Sequence, residues 1–295
     1  MRITEKIVTN GVTRNINSSM RRIDKRYDEI STGKRIRYPS DDPVGLITSL
    51  RLNDQIKEAE RYVTNSDSAI SWLEASDAAL TEMTKVLHRL EELAVASGNG
   101  HLAESSLNAY AEEVHELKGH VLQIANTQLG SRYLFAGQQT TQSAYTDAFA
   151  YQGDENPLSI EVGAGVSLDV SYSGTTIFGD ANSAAGDFFE FMDAFEAHIR
   201  AGDIDAIAGD ITGINDQLTR TLNNQASIGA KVNRLERSNE RYSQLDVQFK
   251  KLLSKNEDVD LAEATMNLKM QESVYQAALA AGARVLQTSM LNYMR

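Results

Sequence analysis

The side chains of this 295-residue chain best suited to metal or acid–base chemistry are its five histidines, His88, His101, His115, His120 and His198. One of them closes a Glu112-x-x-His115 spacing, which on a helix sets a carboxylate and an imidazole on one face. A di-metal carboxylate bundle uses that spacing twice and adds glutamates from two further helices. The sequence has no second copy, so no metal ligand set is expected. Cysteine is absent, which removes disulfides, thiolate zinc sites and thiol nucleophiles together. Thr32-Gly33-Lys34-Arg35 lacks the upstream glycine and the hydroxyl residue after lysine that a phosphate loop requires. Gly163-Ala164-Gly165 lies among strand-forming residues and reads as a turn rather than a dinucleotide site. No Gly-x-Ser-x-Gly elbow or His-Glu-x-x-His pair occurs. The expectation is a protein that is not an enzyme, with no catalytic residue, no metal and no cofactor.

What the sequence does carry is a set of helical seams. Leu73, Ser76, Leu80, Met83, Leu87, Leu90 and Ala94 recur at alternating steps of three and four. That spacing lays side chains along one narrow stripe that another helix must cover. Gly98-Asn99-Gly100 stops this segment, and Leu107, Tyr110, Val114, Leu117, Val121 and Ile124 begin a second one. The longest seam runs from Ile204 through Ile214, Ile228 and Leu235 to Leu253, with polar residues such as Asn239 and Asp246 among its positions. Segments 73–124 and 204–253 are expected to pack on one another as an antiparallel bundle. Between them, Ser159–Val162 and Val166–Tyr172 alternate apolar and polar residues, the period of a half-buried strand.

Both ends carry a seam of their own. Ile16, Met20, Ile23, Tyr27 and Ile30 form one, and Leu279, Ala283, Leu286, Met290 and Tyr293 form the other. A lone pair of such helices buries little area against a backbone ordering cost of about 1–2 kcal/mol per residue. These ten residues are therefore the expected assembly interface, with the ends loosely structured alone and folding when copies stack. The first helix should end at Gly33, and Asp41-Asp42-Pro43 reads as a turn followed by a helix cap with proline in the first turn.

Charge separates the ends from the middle. Residues 1–40 hold ten Lys or Arg against four acids, while the whole chain has a net charge of −12. A basic arm of this kind suits a solvated helix face or an acidic neighbour. With one aromatic in the arm and no accompanying motif, nucleic acid is not expected as a partner. No apolar run is long enough to span a membrane, and residues 1–10 lack the apolar core of a cleaved leader.

Several of these blocks resemble the bacterial flagellin superfamily, and in particular its hook–filament junction branch. Ser31-Thr32-Gly33-Lys34-Arg35-Ile36 followed by Pro39-Ser40-Asp41-Asp42-Pro43-Val44-Gly45 is similar to the N-terminal block of that family. Leu87–Gly100, Ile228–Glu236, Asp260–Ala264 and Tyr275–Leu279 are similar to later blocks in the same order. Asn126–Tyr145 and the small single insertion favour the junction branch over the filament subunit. The resemblance implies a mainly α fold: an elongated antiparallel helical bundle or coiled coil with paired N- and C-terminal helices and one small inserted β-rich domain. The expected division is an N-terminal arm at 1–38, rod at 39–136, a β-rich outer domain at 137–185, rod at 186–254 and a C-terminal arm at 255–295. It further implies a structural adaptor between hook and filament, or, as the alternative, a short flagellin forming the filament itself. Implied partners are further copies of the chain in a helical tube, a neighbouring hook-associated protein, flagellin, and an export chaperone on the C-terminal segment. The implied location is the extracellular flagellum, reached without a cleaved leader.

Overall fold

A computed structural model describes residues 2–99, 102–179 and 187–293. Seven helices run along these residues: α1 (Arg2–Thr32), α2 (Pro43–Ser97), α3 (Glu104–Ala125), α4 (Gly174–Phe178), α5 (Phe188–Ala201), α6 (Ile204–Glu257) and α7 (Leu261–Tyr293). Four short strands, β1 (Gln128–Leu129), β2 (Arg132–Tyr133), β3 (Ser159–Gly163) and β4 (Val166–Asp169), form two antiparallel hairpins between α3 and α4. The protein is thus mainly α with a small β insertion, as the sequence patterns and the resemblance both imply.

Local chemistry sets the helix ends. Gly33 after α1 and Gly202 after α5 both take the left-handed conformation that releases a helix, at φ 70° and 66°. The Asp42 carboxylate accepts the Gly45 N–H at 2.9 Å, and Pro43 occupies the first turn of α2, where no N–H is needed. Asp203 caps α6 through Ala206, and Asp260 caps α7 through Ala262 and Glu263.

Two compact units divide the chain: a terminal unit of Met1–Glu58 with Leu245–Arg295, and an inner unit of Ala59–Gln244. In the inner unit the expected seams are its core. Leu73, Ser76, Leu80, Met83, Leu87, Leu90 and Ala94 are all buried, as are Val114, Val121 and Ile124 of α3 and Ile207, Ile214, Ile228 and Leu235 of α6. Fully burying one such side chain is worth about 1.5–3 kcal/mol. Polar seam positions fix the antiparallel register of α2 and α6: Gln225 donates to Thr81 at 3.1 Å and Asn239 to Asp67 at 2.6 Å. Ion pairs do the same for α3 and α5, where Arg200 meets Glu112 at 2.7 Å and Lys118 meets Asp193 at 2.5 Å.

The insertion shares this core through aromatic rings. Tyr145 packs its ring 5.6 Å from Phe178 and 5.0 Å from Phe189, which itself stacks on Phe178. Lys118 of α3, almost wholly buried, places its ammonium 3.8 Å from the centre of the Phe149 ring. The structure departs from the sequence expectation at three places here. β4 stops at Asp169 instead of reaching Tyr172, whose hydroxyl is hydrogen-bonded to Ser227 on α6. Hairpin β1–β2 turns on Gly130 at φ 64° and is too short to show a period. Helix α4 is a single turn capped by Ser173.

Candidate assembly surface of the terminal helices

The terminal unit begins with two turns held side by side. Arg35 N–H donates to the Glu257 carbonyl at 2.6 Å, and Val259 N–H donates to the Gly33 carbonyl at 2.9 Å. Lys34 pairs with the nearly buried Glu257 carboxylate at 2.7 Å, and the Arg35 guanidinium reaches the Asn256 carbonyl at 3.0 Å. Asn256 in turn donates to the Gly45 carbonyl and the Ser49 hydroxyl of α2. A Cβ on Gly45 would stand 2.5 Å from Ile36 and 2.6 Å from Asp42, so only glycine lets the turn lie this close to α2. Lys25 binds the Asp41 carboxylate at 2.8 Å, and the N–H groups of Arg37 and Tyr38 also point to it. The Lys25 hydrogen bond first, then these backbone donors, holds the Asp41 carboxyl below the usual carboxylate range. Much of the basic arm is therefore spent inside its own unit.

From these turns α1 and α7 run antiparallel. Arg22 donates to Gln271 at 3.2 Å, and further along the pair Gly282 lies beneath Val12 and Ile16. A Cβ on Gly282 would be 2.8 Å from the Val12 side chain, so the two helices approach as closely as backbone without a side chain permits. Among the described side chains of α7, Ala264, Leu268, Gln271, Tyr275, Ala278 and Gly282 form a covered stripe stepping four, three, four, three, four, with Asn267 and Glu272 half-buried beside it. This stripe mixes small and polar residues with Leu268 and Tyr275.

The expected interface residues fall on two sides of it. Ile23 is buried, Ile16 and Ile30 are half-buried, and Met20 and Tyr27 are exposed. Leu279 and Ala283 are exposed, one position round the helix from Ala278 and Gly282. The side chains of Leu286, Met290 and Tyr293 lie outside the described residues. Sequence reasoning missed the open stripe Met266, Met270 and Val274, which stand 67%, 54% and 44% exposed at four-residue steps. It also missed Val44, Ile47 and Leu50, which are exposed at the start of α2. The signal for the stripe was present as a four-residue spacing of large apolar groups, set on the opposite side from the small ones.

Histidine chemistry does not assemble. Glu112 binds Arg200 while His115 faces Glu196 at 3.2 Å, so the spaced pair serves two different partners. Among the described residues no cluster of three or more His, Cys, Asp or Glu could hold a metal, and no helix is long and apolar enough to cross a membrane. His101 lies outside the described residues.

Comparison with known proteins gives two family matches: the bacterial flagellin N-terminal helical region over residues 3–140 and its C-terminal helical region over 211–294. Among curated proteins, flagellar hook-associated protein 3 of Escherichia coli K12 is 24% identical, with 95% of this chain and 96% of that protein aligned. The flagellin of Bacillus subtilis is 25% identical over 97% of both. Among solved structures, a putative flagellar hook-associated protein from Vibrio parahaemolyticus matches with a TM-score of 0.68 at 19% identity, covering 74% of this chain and all of that one. FlgL of Xanthomonas campestris matches at 0.62 and 17% identity, covering 69% of this chain and 99% of that one.

Proposed function

The chain belongs to the bacterial flagellin family, and on that premise we propose that it is a structural adaptor joining the flagellar hook region to the flagellin filament. Like the family, it is a structural component of the flagellum. End-to-end similarity to hook-associated protein 3 supports the junction reading, and the small single β insertion fits it. The observation that carries the mechanism is the half-covered terminal pair: α1 and α7 meet closely at Gly282, bury Ile23 and Leu268, and leave Met20, Tyr27, Met266, Met270, Val274 and Leu279 uncovered. Exposed apolar stripes of this kind on a structural protein are contact surfaces for neighbours.

In this reading the arms 1–38 and 255–295 form the contact between stacked copies, the rod segments 39–136 and 186–254 set spacing, and residues 137–185 form the outer domain. Ile16, Met20, Ile23, Tyr27 and Ile30 act with Leu279, Ala283, Leu286, Met290 and Tyr293 in that contact, joined by the Met266–Val274 stripe. Pairing and final ordering of the ends accompany stacking. The partners are further copies in a tube, a neighbouring hook-associated protein, flagellin, and a chaperone holding the C-terminal segment before export without a cleaved leader. The protein performs no catalysis.

Isolated flagella test this directly. The protein is expected at the base of the filament in a small fixed amount, and a strain lacking it is expected to keep hooks, shed flagellin and lose motility. The double variant M266D/M270D is expected to fold with an unchanged circular dichroism spectrum and to fail to restore motility. The similarity to flagellin supports the filament reading as the second possibility. Unlimited elongation of filament seeds by the purified protein would establish that reading instead.

A further inference from the structure

Charge is distributed unevenly along the inner unit. Residues 59–244 hold 27 acids against eleven Lys or Arg, yet four of those bases, Lys231, Arg234, Arg237 and Arg241, fall within eleven residues of α6. Three of them line a groove of about 770 Å³ between α6 and the β3–β4 hairpin, together with Val162, Gly163 and the exposed Val166. Among the described residues, Arg234, Arg237 and Arg241 make no ion pair. Glu236 and Glu240 share this stretch of helix and do not line the groove. On the hairpin, the Glu161 carboxylate is paired with Arg61 at 3.7 Å, and neither it nor Asp169 lines the groove.

The groove is rigidly built. Gly163 leaves no room for a Cβ beside the Tyr242 hydroxyl, the Tyr242 ring lies 5.0 Å from that of Tyr62, and Asn65 donates to the Glu161 carbonyl at 2.7 Å. Lys231 secures the other strand through the Asp169 carbonyl at 2.8 Å.

At the opposite end of the same unit lies the complement. Residues 88–118 and 190–216 together carry thirteen acids against three Lys or Arg. Exposed Asp205 and Asp216 on α6, with Glu104 and Glu116 on α3, make no ion pair among the described residues. Asp216 and Arg237 lie 21 residues apart on one continuous helix, about 32 Å at 1.5 Å per residue. That separation is several Debye lengths at physiological salt, so the two ends cannot satisfy each other within one chain.

We infer that the arginine groove docks the acidic end of the inner unit of a second copy of this chain. The contact is head-to-tail, because the two surfaces differ and each copy carries one of each. Heterologous contacts of that kind generate rings or helical arrays rather than closed pairs. The proposal rests on the reading of this chain as a subunit of a tube, and names the surface that sets its lengthwise spacing in addition to the terminal helices.

The test uses the full chain in its own flagella, with Asn233 at the groove replaced by the photoreactive residue p-benzoylphenylalanine. Illumination is expected to join this position to residues 88–118 or 190–216 of another copy, read by mass spectrometry of the linked peptides. Links to any other segment, or to a different protein, overturn the groove contact while leaving the flagellar location intact. Absence of the unmodified protein from isolated flagella overturns the functional reading and the groove with it. A second variant needs no probe. R234E/R237E/R241E is expected to lower the protein recovered per flagellum at least tenfold, while R234K/R237K/R241K retains most of it. Wild-type recovery of the glutamate variant by a chain with normal circular dichroism overturns the proposal.

Discussion

The two units of this protein use the same helical spacing toward opposite ends. In the inner unit the three-four positions hold Leu, Met and Ile, and they are closed over on every side. In the terminal unit the closed positions mix Ile23, Ile36 and Leu268 with Ser19, Ala264 and Gly282, and many of the large apolar groups stand outside. Of the 43 buried hydrophobic residues among the described residues only six belong to the terminal unit, although it contributes 109 of the 295 residues. Of the nineteen exposed large hydrophobics among the described residues, it contributes fourteen. The inner unit is stabilised by its own core. The terminal unit is held by turns, ion pairs, one close helix contact and a few buried aliphatic side chains, and much of its apolar surface stays exposed.

This contrast is open to direct attack, first through the core. Leu87→Ala removes a fully buried side chain in the middle of the α2 seam. The expected cost is about 2–5 kcal/mol, read as a lower denaturation midpoint of the inner unit. A loss below about 1 kcal/mol would mean that the inner unit is no better closed than the ends. Gly282→Leu acts on the other side of the comparison. Its side chain must displace Val12 and Ile16, and overpacking of this kind costs about 1–3 kcal/mol. The expected result is loss of helix protection at α1 and α7 in hydrogen exchange, with the inner unit unchanged.

The smallest effect is electrostatic. Because the folded state holds the Asp41 carboxyl below its unfolded value, the stability that it adds is present above about pH 4 and lost as pH falls through the lower folded value. An exposed pair of this kind contributes at most about 1 kcal/mol. Asp41→Asn is therefore expected to flatten the acid limb of terminal-unit stability between about pH 5 and 3, measured by thermal melts across that range. A wild-type slope in the variant would show that the Lys25–Asp41 contact adds nothing to this unit.

Where large side chains carry the packing, the sequence is legible. Every residue of the α2 seam from Leu73 to Ala94 is buried as its spacing predicts, and the Asp42 cap with Pro43 behind it forms as read. The α1–α7 contact is only half legible. A search for apolar periodicity finds Ile16 and Ile23, which are covered, together with Met20, Tyr27 and Leu279, which are exposed, and it passes over Gly282 and Gln271, through which α7 meets α1. The arginine groove was not legible for a different reason. Its basic residues are ordinary surface charges until β3 and β4 fold beside them, some seventy residues away in sequence.

The paired turns at Gly33 and Asp258 have a consequence in time. Lys34 bridges to Asp258, 224 positions further on, and every contact between α1 and α7 spans at least as much chain. Closing a loop of that size is slow compared with forming local contacts, so relative contact order places this unit late. Whichever end emerges first, from a ribosome or through a narrow channel, must wait for the other. The terminal unit therefore registers completeness: a chain that ends between Gln244 and α7 holds every residue of the inner unit but cannot pair α1 with α7.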